Sequence, residues 1–298
     1  MGTVFVASPR PFGHQGGMSL IERIREANDI DETGLLPFVA DGRTVGLALA
    51  DFAQNLAEWP DVFRIDGGVL ALEAGLRSPA ERTAAVARPL AALRDAGVVT
   101  GWRNELYPVV DMFGDEPVLE VERAAATLLG IKTFAVNLNG YVENGDEAAL
   151  WLQHRAKTKP TSPDKLDVLV SGGQPTNISP FDNLIKECGE EAGIPESVAR
   201  QAQDAGWIGF RARRPDGVNH GHYFNYDLAL PDDFEPINTD GEVQAFYRWP
   251  IGKVIDILSN TQDIAFDSAV VIIDFLIRHG HIAPDTPDYA TIRESLQP

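Results

Sequence analysis

Gly172-Gly-Gln-Pro-Thr-Asn-Ile-Ser-Pro-Phe-Asp-Asn-Leu-Ile-Lys-Glu-Cys-Gly-Glu-Glu-Ala-Gly-Ile194 is the stretch from which the rest of the chain is read. Ser179 suits an N-cap, Pro180 the first helical position, and Asp182 the positive end of a helix. Gly193, followed by Ile194-Pro195, is a stop. Between these marks Phe181, Leu184, Ile185, Cys188 and Ala192 recur at helical spacing and form an apolar stripe. Glu187, Glu190 and Glu191, at i, i+3 and i+4, share an arc of roughly 100° on the opposite side. Like charges four apart destabilise a helix by about 0.2–0.5 kcal/mol. Such a row is therefore either a solvated face or a platform for a cation, and spacing alone admits both. Lys165 to Ser171 reads as a strand and Gly172-Gly173 as a loop, so the unit is strand, glycine-rich loop, helix. An all-oxygen donor set without His or Cys suits Mg²⁺ better than zinc.

The stretch resembles the Nudix box, G-x5-E-x7-R-E-U-x-E-E-x-G-U, where U is a bulky apolar residue. Gly172, Glu187, Cys188, Glu190, Glu191, Gly193 and Ile194 fall on its positions. Ile178 stands where the pattern has Glu, and Lys186 where it has Arg; in the family these two mainly support the loop and helix. Four blocks, one of them inside the box, are similar to one subfamily, related to the Nudix part of eukaryotic thiamine diphosphokinase fusions. They are Gly101 to Val109, Phe134 to Val142, Lys186 to Ala192 and Ile272 to Gly280. Asn137 stands where that group has a His. The resemblance spans most of residues 19 to 282. It implies a Nudix α/β/α sandwich with a mixed sheet, dependence on Mg²⁺ or Mn²⁺, and hydrolysis of a diphosphate linkage. For the subfamily it implies thiamine diphosphate or its oxidised forms as substrate.

Composition narrows the partners. The chain has 298 residues and a formal net charge of −19. That excess of acid argues against nucleic acid or an anionic membrane as a general partner. It also means that a diphosphate substrate must be met by metal ions and a few local cations. The one cysteine, Cys188, excludes an intramolecular disulfide, fits a reducing compartment and lies on the apolar stripe. Ala269 to Ile277 is too short to span a bilayer and carries Asp274. With no secretory pattern visible, a cytoplasmic location is the expectation.

Three segments are expected: a loose leader over 1–17 ahead of Met18, a small α+β accessory domain over 18–125, and a Nudix hydrolase domain over 126–298. In the accessory domain, Ser19 to Glu22 opens a helix through a capping box. Leu35 to Gly46 reads as a hairpin around Asp41-Gly42, and Phe63 to Leu72 as another around Asp66-Gly67-Gly68. Leu47 to Glu58 and Ser78 to Ala96 read as helices, the second kinked at Pro89. In the hydrolase part, Thr133 to Val142, Ala149 to Arg155, Trp207 to Arg213, His222 to Leu230 and Val243 to Trp249 read as strands. Glu196 to Ala205, Pro250 to Ser259 and Ser268 to Arg278 read as helices.

The candidate chemistry is metal-assisted attack of water on phosphorus. Glu187, Glu190 and Glu191 are the expected metal ligands, one of them also serving as an ionised general base. Glu242, in a loop where the family often supplies a further acid, is a second catalytic candidate. The Gly172 carbonyl is a further metal donor implied by the resemblance. Arg155, Lys157 and Lys159 form a basic cluster ahead of the box and are candidates to cradle the diphosphate. His220 and His222 form only a pair, which fits a structural role better than a metal site. Trp207, Phe210, Tyr223, Phe224 and Tyr226 read as core. The accessory domain carries no catalytic motif and is expected to shape substrate access or to support a homodimer. Alternatives are a Nudix hydrolase of ADP-ribose, a dinucleotide or another nucleoside diphosphate derivative, or a non-catalytic Nudix-fold binding protein.

Overall fold

The computed structural model describes residues 19–144, 147–159, 161–239 and 241–296. The expected leader, with Met18, lies outside these residues, as does Asp240. Helix α1 (Leu20–Ala27) begins at the expected capping box, the Ser19 N–H donating to Glu22 Oε2 at 2.6 Å. Two hairpins follow: β1 (Leu35–Ala40) with β2 (Arg43–Leu49), and, after α2 (Ala50–Leu56), β3 (Phe63–Asp66) with β4 (Val69–Leu72). Their turns, Asp41-Gly42 and Gly67-Gly68, have positive φ at both positions, which twists the strands together. The four strands form one sheet in the order β2-β1-β4-β3, with β1 and β4 parallel. Helix α2 starts later than expected because Leu47 to Leu49 pair with Leu35 to Pro37 on β1.

Helix α3 (Pro79–Asp95) runs on through Pro89. The short hairpin β5 (Leu106–Val109) with β6 (Leu119–Glu122) and helix α4 (Ala126–Leu129) complete this half. Phe38, Phe52, Leu56, Phe63, Val86, Leu90, Leu119 and Ile131 share its core. Helix α1 does not join that core. Its Leu20, Ile21, Ile24 and Ala27 pack with Val254, Leu258, Val270 and Ile292 of the C-terminal half.

The second half is built on a seven-stranded mixed sheet among the described residues. Its path is β11 (Gln203–Arg214), β12 (Gly217–Ala229), β7 (Lys132–Asn144), β8 (Glu147–Arg155) and β13 (Val243–Pro250), with β9 (Leu166–Val168) on β8 and β10 (Val170–Gly173) on β7. The segment 165–171 therefore does not form one strand. It breaks at Leu169 and passes from one partner to the other, which sets Gly172 and Gly173 at the sheet edge of the loop.

Alternation along the strands feeds two cores. Val136, Leu138 and Trp151 face one side and pack on α5 (Pro180–Ala192) and α6 (Glu196–Ala199). Leu150 and Leu152 face the other and pack against α1, α7 (Ile251–Asn260), α8 (Phe266–Arg278) and α9 (Tyr289–Ser295). The result is the expected α/β/α sandwich. Helix α6 is a single turn, shorter than the expected 196–205, because Gln203 and Asp204 already pair with Asp227 and Tyr226 on β12. Val270 to Ile273, despite strand propensity, are buried within α8. Among the described residues no helix is long and apolar enough to cross a membrane.

Candidate active site

Helix α5 is fixed at both ends as its sequence demands. The Ser179 hydroxyl accepts the Asp182 N–H at 3.1 Å and donates to the Asp182 carboxylate at 2.7 Å. Gly193 takes a left-handed conformation, φ 63° and ψ 23°, where glycine is least strained. Leu184, Cys188 and Ala192 are fully buried beneath the helix. Burial pushes the Cys188 thiol up to about 12, so it is a core side chain with no thiolate chemistry.

The loop ahead of α5 is tied to it through two buried amides. Asn183 Nδ2 donates to the Gly173 carbonyl at 2.9 Å and to Gln174 Oε1 at 3.1 Å. Gln174 Nε2 in turn donates to the carbonyls of Ile178, at 2.7 Å, and Pro175, at 3.0 Å. Gln174 and Asn183 thus hold the loop closed although Ile178 offers no carboxylate. Gly172 is required by the close approach of the helix: a Cβ there would stand 2.4 Å from Cγ and Cδ of Glu187.

The three glutamates occupy different environments. Glu191 is buried, and its Oε2 accepts the Ser171 N–H at 2.8 Å and Gln153 Nε2 at 3.2 Å. These partners are neutral, and burial raises the carboxyl to about 8, with the nearby charges of Asp167 and Glu187 adding to the rise. Burial also raises Glu187, against the pull of Lys186. Glu190 is exposed. Lys186, standing where the box has Arg, donates to Glu187 Oε1 at 3.1 Å and Glu190 Oε2 at 2.7 Å. Burial opposes its charge, but these two carboxylates outweigh it and hold the ammonium above its usual range. Among the described residues no three His, Cys, Asp or Glu side chains are gathered closely enough to hold a cation as they stand. Lys186 holds Glu187 and Glu190, and Glu191 is turned inward. The donor chemistry nevertheless fits a hard cation: a buried carboxylate with neutral partners lies one helical turn from a second partly buried one.

Glu242 and Lys159 are brought together as an ion pair. Burial acts to raise the Glu242 carboxyl, but the Lys159 hydrogen bond and charge hold it below its ordinary value. The rest of the basic cluster separates. Arg155 is buried and donates to Asp167 at 2.7 Å and to the Thr161 carbonyl at 2.9 Å, while Asp167 also accepts the Ser268 hydroxyl. Arg155 thus lines the cleft but spends these donors within the fold. Lys157 points to solvent and lies 3.6 Å from Asp164. It is not among the residues that line the cleft, so the structure does not bring it to the expected phosphate site. His222 stacks on Trp207, at 4.3 Å between ring centroids, and burial lowers both His220 and His222 to about 4. They are neutral sheet residues, as their spacing suggested. Asn137 is buried on β7 opposite Asn225.

A cleft of about 820 Å³ opens over Ser171, Gly172 and Gly173. One wall belongs to the hydrolase sheet and its helices: Phe134, Arg155, Lys159, Tyr223, Phe266 and Asp267. The other is supplied by the N-terminal half: Arg103, Tyr107 and Arg123. Sequence reading missed this second wall. Arg103 and Tyr107 lie in the Gly101 to Val109 block, but nothing in it marks them for the site, and only the packing of Tyr107 and Arg123 beside Gly173 reveals the wall. Tyr223 packs against the core as expected and also lines the cleft, its hydroxyl donating to Asp267 at 3.0 Å.

A family model described as a domain of unknown function (DUF4743) matches residues 18–133. The chain is 38% identical over 301 residues to Nudix hydrolase 24, chloroplastic, of Arabidopsis thaliana, covering 99% of this chain and 82% of the relative. It is 39% identical over 272 residues to Nudix hydrolase 20, chloroplastic, of the same plant, covering 88% of this chain and 72% of the relative. Among solved structures, the Nudix domain of Shewanella oneidensis NrtR complexed with ADP ribose aligns with 50% of this chain and 88% of its own, at 14% identity and a TM-score of 0.40.

Proposed function

The chain belongs to the Nudix hydrolase family, enzymes acting on diphosphate bonds, and from that premise we propose that it is a Mg²⁺- or Mn²⁺-dependent pyrophosphohydrolase of thiamine diphosphate-like compounds. The observation that carries this reading is the seating of Glu187 against Gly172, beside the buried Glu191, where the glycine loop borders a cleft large enough for such a substrate. Glu187, Glu190 and Glu191, with the Gly172 carbonyl, would hold the cation. When bound, it would neutralise phosphate oxygens and favour deprotonation of the attacking water.

The chain's own residues have separable tasks. The Ser171 N–H and Gln153 fix the Glu191 carboxylate in one orientation. Lys186 holds Glu187 and Glu190 apart from other partners until a cation competes for them. Lys159 keeps Glu242 ionised, though a weaker base for the pairing, and this carboxylate is the proposed acceptor of the water's proton once the pair opens. At the cleft's other end Tyr223, Phe266 and Arg214 support a ring-bearing leaving portion, with Arg214 Cζ lying 3.7 Å from the Phe266 ring centroid.

Residues 18–125 are proposed as an accessory unit and 126–298 as the hydrolase unit, in a cytoplasmic protein that forms a homodimer. The substrate reading is tested with a panel of thiamine diphosphate, its oxidised forms, ADP-ribose and a dinucleoside polyphosphate, each with Mg²⁺ and with EDTA. The highest kcat/KM is expected for a thiamine-type diphosphate. A higher value for a nucleotide would replace that substrate class.

A further inference from the structure

We propose that Arg103 and Arg123, from the N-terminal half, grip the diphosphate across the cleft from the acidic helix, so that the phosphate site is complete only with both halves of the chain. The inference rests on the hydrolase reading above and assigns to two residues a task that the basic cluster ahead of the box does not perform.

Placement is the first argument. Gly173 is flanked by residues of the other half: a Cβ there would stand 2.0 Å from the Tyr107 hydroxyl and 3.3 Å from Arg123 Cζ. The guanidinium therefore lies against the glycine loop, one residue from the contact between Gly172 and Glu187. Arg123 Cζ also lies 5.5 Å from the Tyr107 ring centroid. Arg103 lines the same cleft, and its charge is felt both at Tyr107 in its own half and at Glu242 in the hydrolase half.

The second argument is that the backbone beneath the two arginines is locked. The buried Glu122 carboxylate accepts the Arg103 N–H at 2.9 Å, and the Arg123 N–H donates to the Glu105 carbonyl at 2.9 Å. These reciprocal bonds join segments 103–105 and 122–124, which fixes the backbone from which both side chains extend and so lowers the ordering cost on binding. Donors remain for a ligand. Among the described residues, the Arg123 side chain donates only to Glu105, at 2.9 Å, and is 42% exposed. The Arg103 side chain is exposed and has no hydrogen-bond partner among them.

The third argument is charge. A chain of net charge −19 needs local cations to accept a polyanion. Arg155 is bound to Asp167, Lys157 faces away, and Lys159 is held by Glu242. Two arginines with uncommitted N–H donors, beside the acidic helix, supply what the other cations do not. Their forked geometry suits phosphate oxygens better than a lysine would.

The test uses the full chain and the variants Arg103→Ala, Arg123→Ala and Arg123→Lys, with Arg88→Ala, an exposed partner of Asp61 that does not line the cleft, as control. Calorimetric binding of inorganic pyrophosphate with Mg²⁺ is measured beside steady-state kinetics on the best diphosphate of the panel. Each alanine variant is expected to weaken pyrophosphate binding and raise KM by about tenfold, with kcat changed less than about threefold. Arg123→Lys should fall between, and Arg88→Ala should match wild type. Folded arginine variants with wild-type Kd and KM would overturn the inference while leaving the hydrolase reading intact. Wild-type protein that binds pyrophosphate through these arginines but cleaves no diphosphate would overturn the hydrolase reading instead.

Discussion

Gly172 and Glu187 touch so closely that a Cβ on the glycine would stand 2.4 Å from the glutamate's Cδ. The contact is between the last strand residues before the loop and the middle of α5. It makes the loop, not the helix alone, the device that aims the Glu187 carboxylate. Gly172→Ala is therefore expected to displace that carboxylate while leaving the sheet paired. A shift of about 1 Å at a catalytic group can cost about 100-fold in rate. Steady-state kinetics with a circular dichroism check should show a loss of that order in kcat at near-native structure. Unchanged kcat would mean that Glu187 does not need this seat.

Glu191 makes stability without metal depend on pH. Its carboxyl, at about 8 in the fold, lies above its ordinary value of 4.5. A group raised on folding contributes stability that is fully present below the unfolded value and is lost as pH rises through the folded one. In EDTA, the wild-type Tm should therefore fall more than that of Glu191→Gln between about pH 5 and pH 9. Added Mg²⁺ should restore the wild type, and not the variant, at the alkaline end. Parallel Tm curves for the two proteins would refute this placement of the charge.

The basic cluster should divide by role. Arg155→Ala leaves Asp167 buried without its cation and should cost about 3–5 kcal/mol in denaturant unfolding. Lys157→Ala, on an exposed side chain, should stay within about 0.5 kcal/mol of wild type and leave KM alone. Lys159→Ala should change KM little and move the acid limb of the pH–rate profile upward, because Glu242 loses the partner that keeps it ionised. Loss of KM in Lys157→Ala would reverse this division.

What could be read from the chain was mostly local. The caps of α5, the hairpin turns at Asp41-Gly42 and Gly67-Gly68, and the acidic stripe each depend on residues a few positions apart. What could not be read depends on distant pairings. Residues 165–171 look like one strand until β7 and β8 each claim a part. Helix α6 looks longer until β12 captures Gln203 and Asp204. Arg155 looks like a phosphate ligand until Asp167 is placed beneath it. The arginine wall is the extreme case. Tyr107 and Arg123 reach Gly173 only because β5 and β6 pack against a loop far along the chain.

The central claim is that the acidic row of α5 works by holding a cation for diphosphate hydrolysis. The most direct measurement compares diphosphate cleavage by wild type, Glu190→Gln and Glu191→Gln across a Mg²⁺ titration that begins in EDTA. The account predicts wild-type turnover that vanishes in EDTA and returns with Mg²⁺, and folded variants slower by at least about 100-fold at saturating metal. Folded variants that turn over at the wild-type rate, with the same dependence on Mg²⁺, would contradict it.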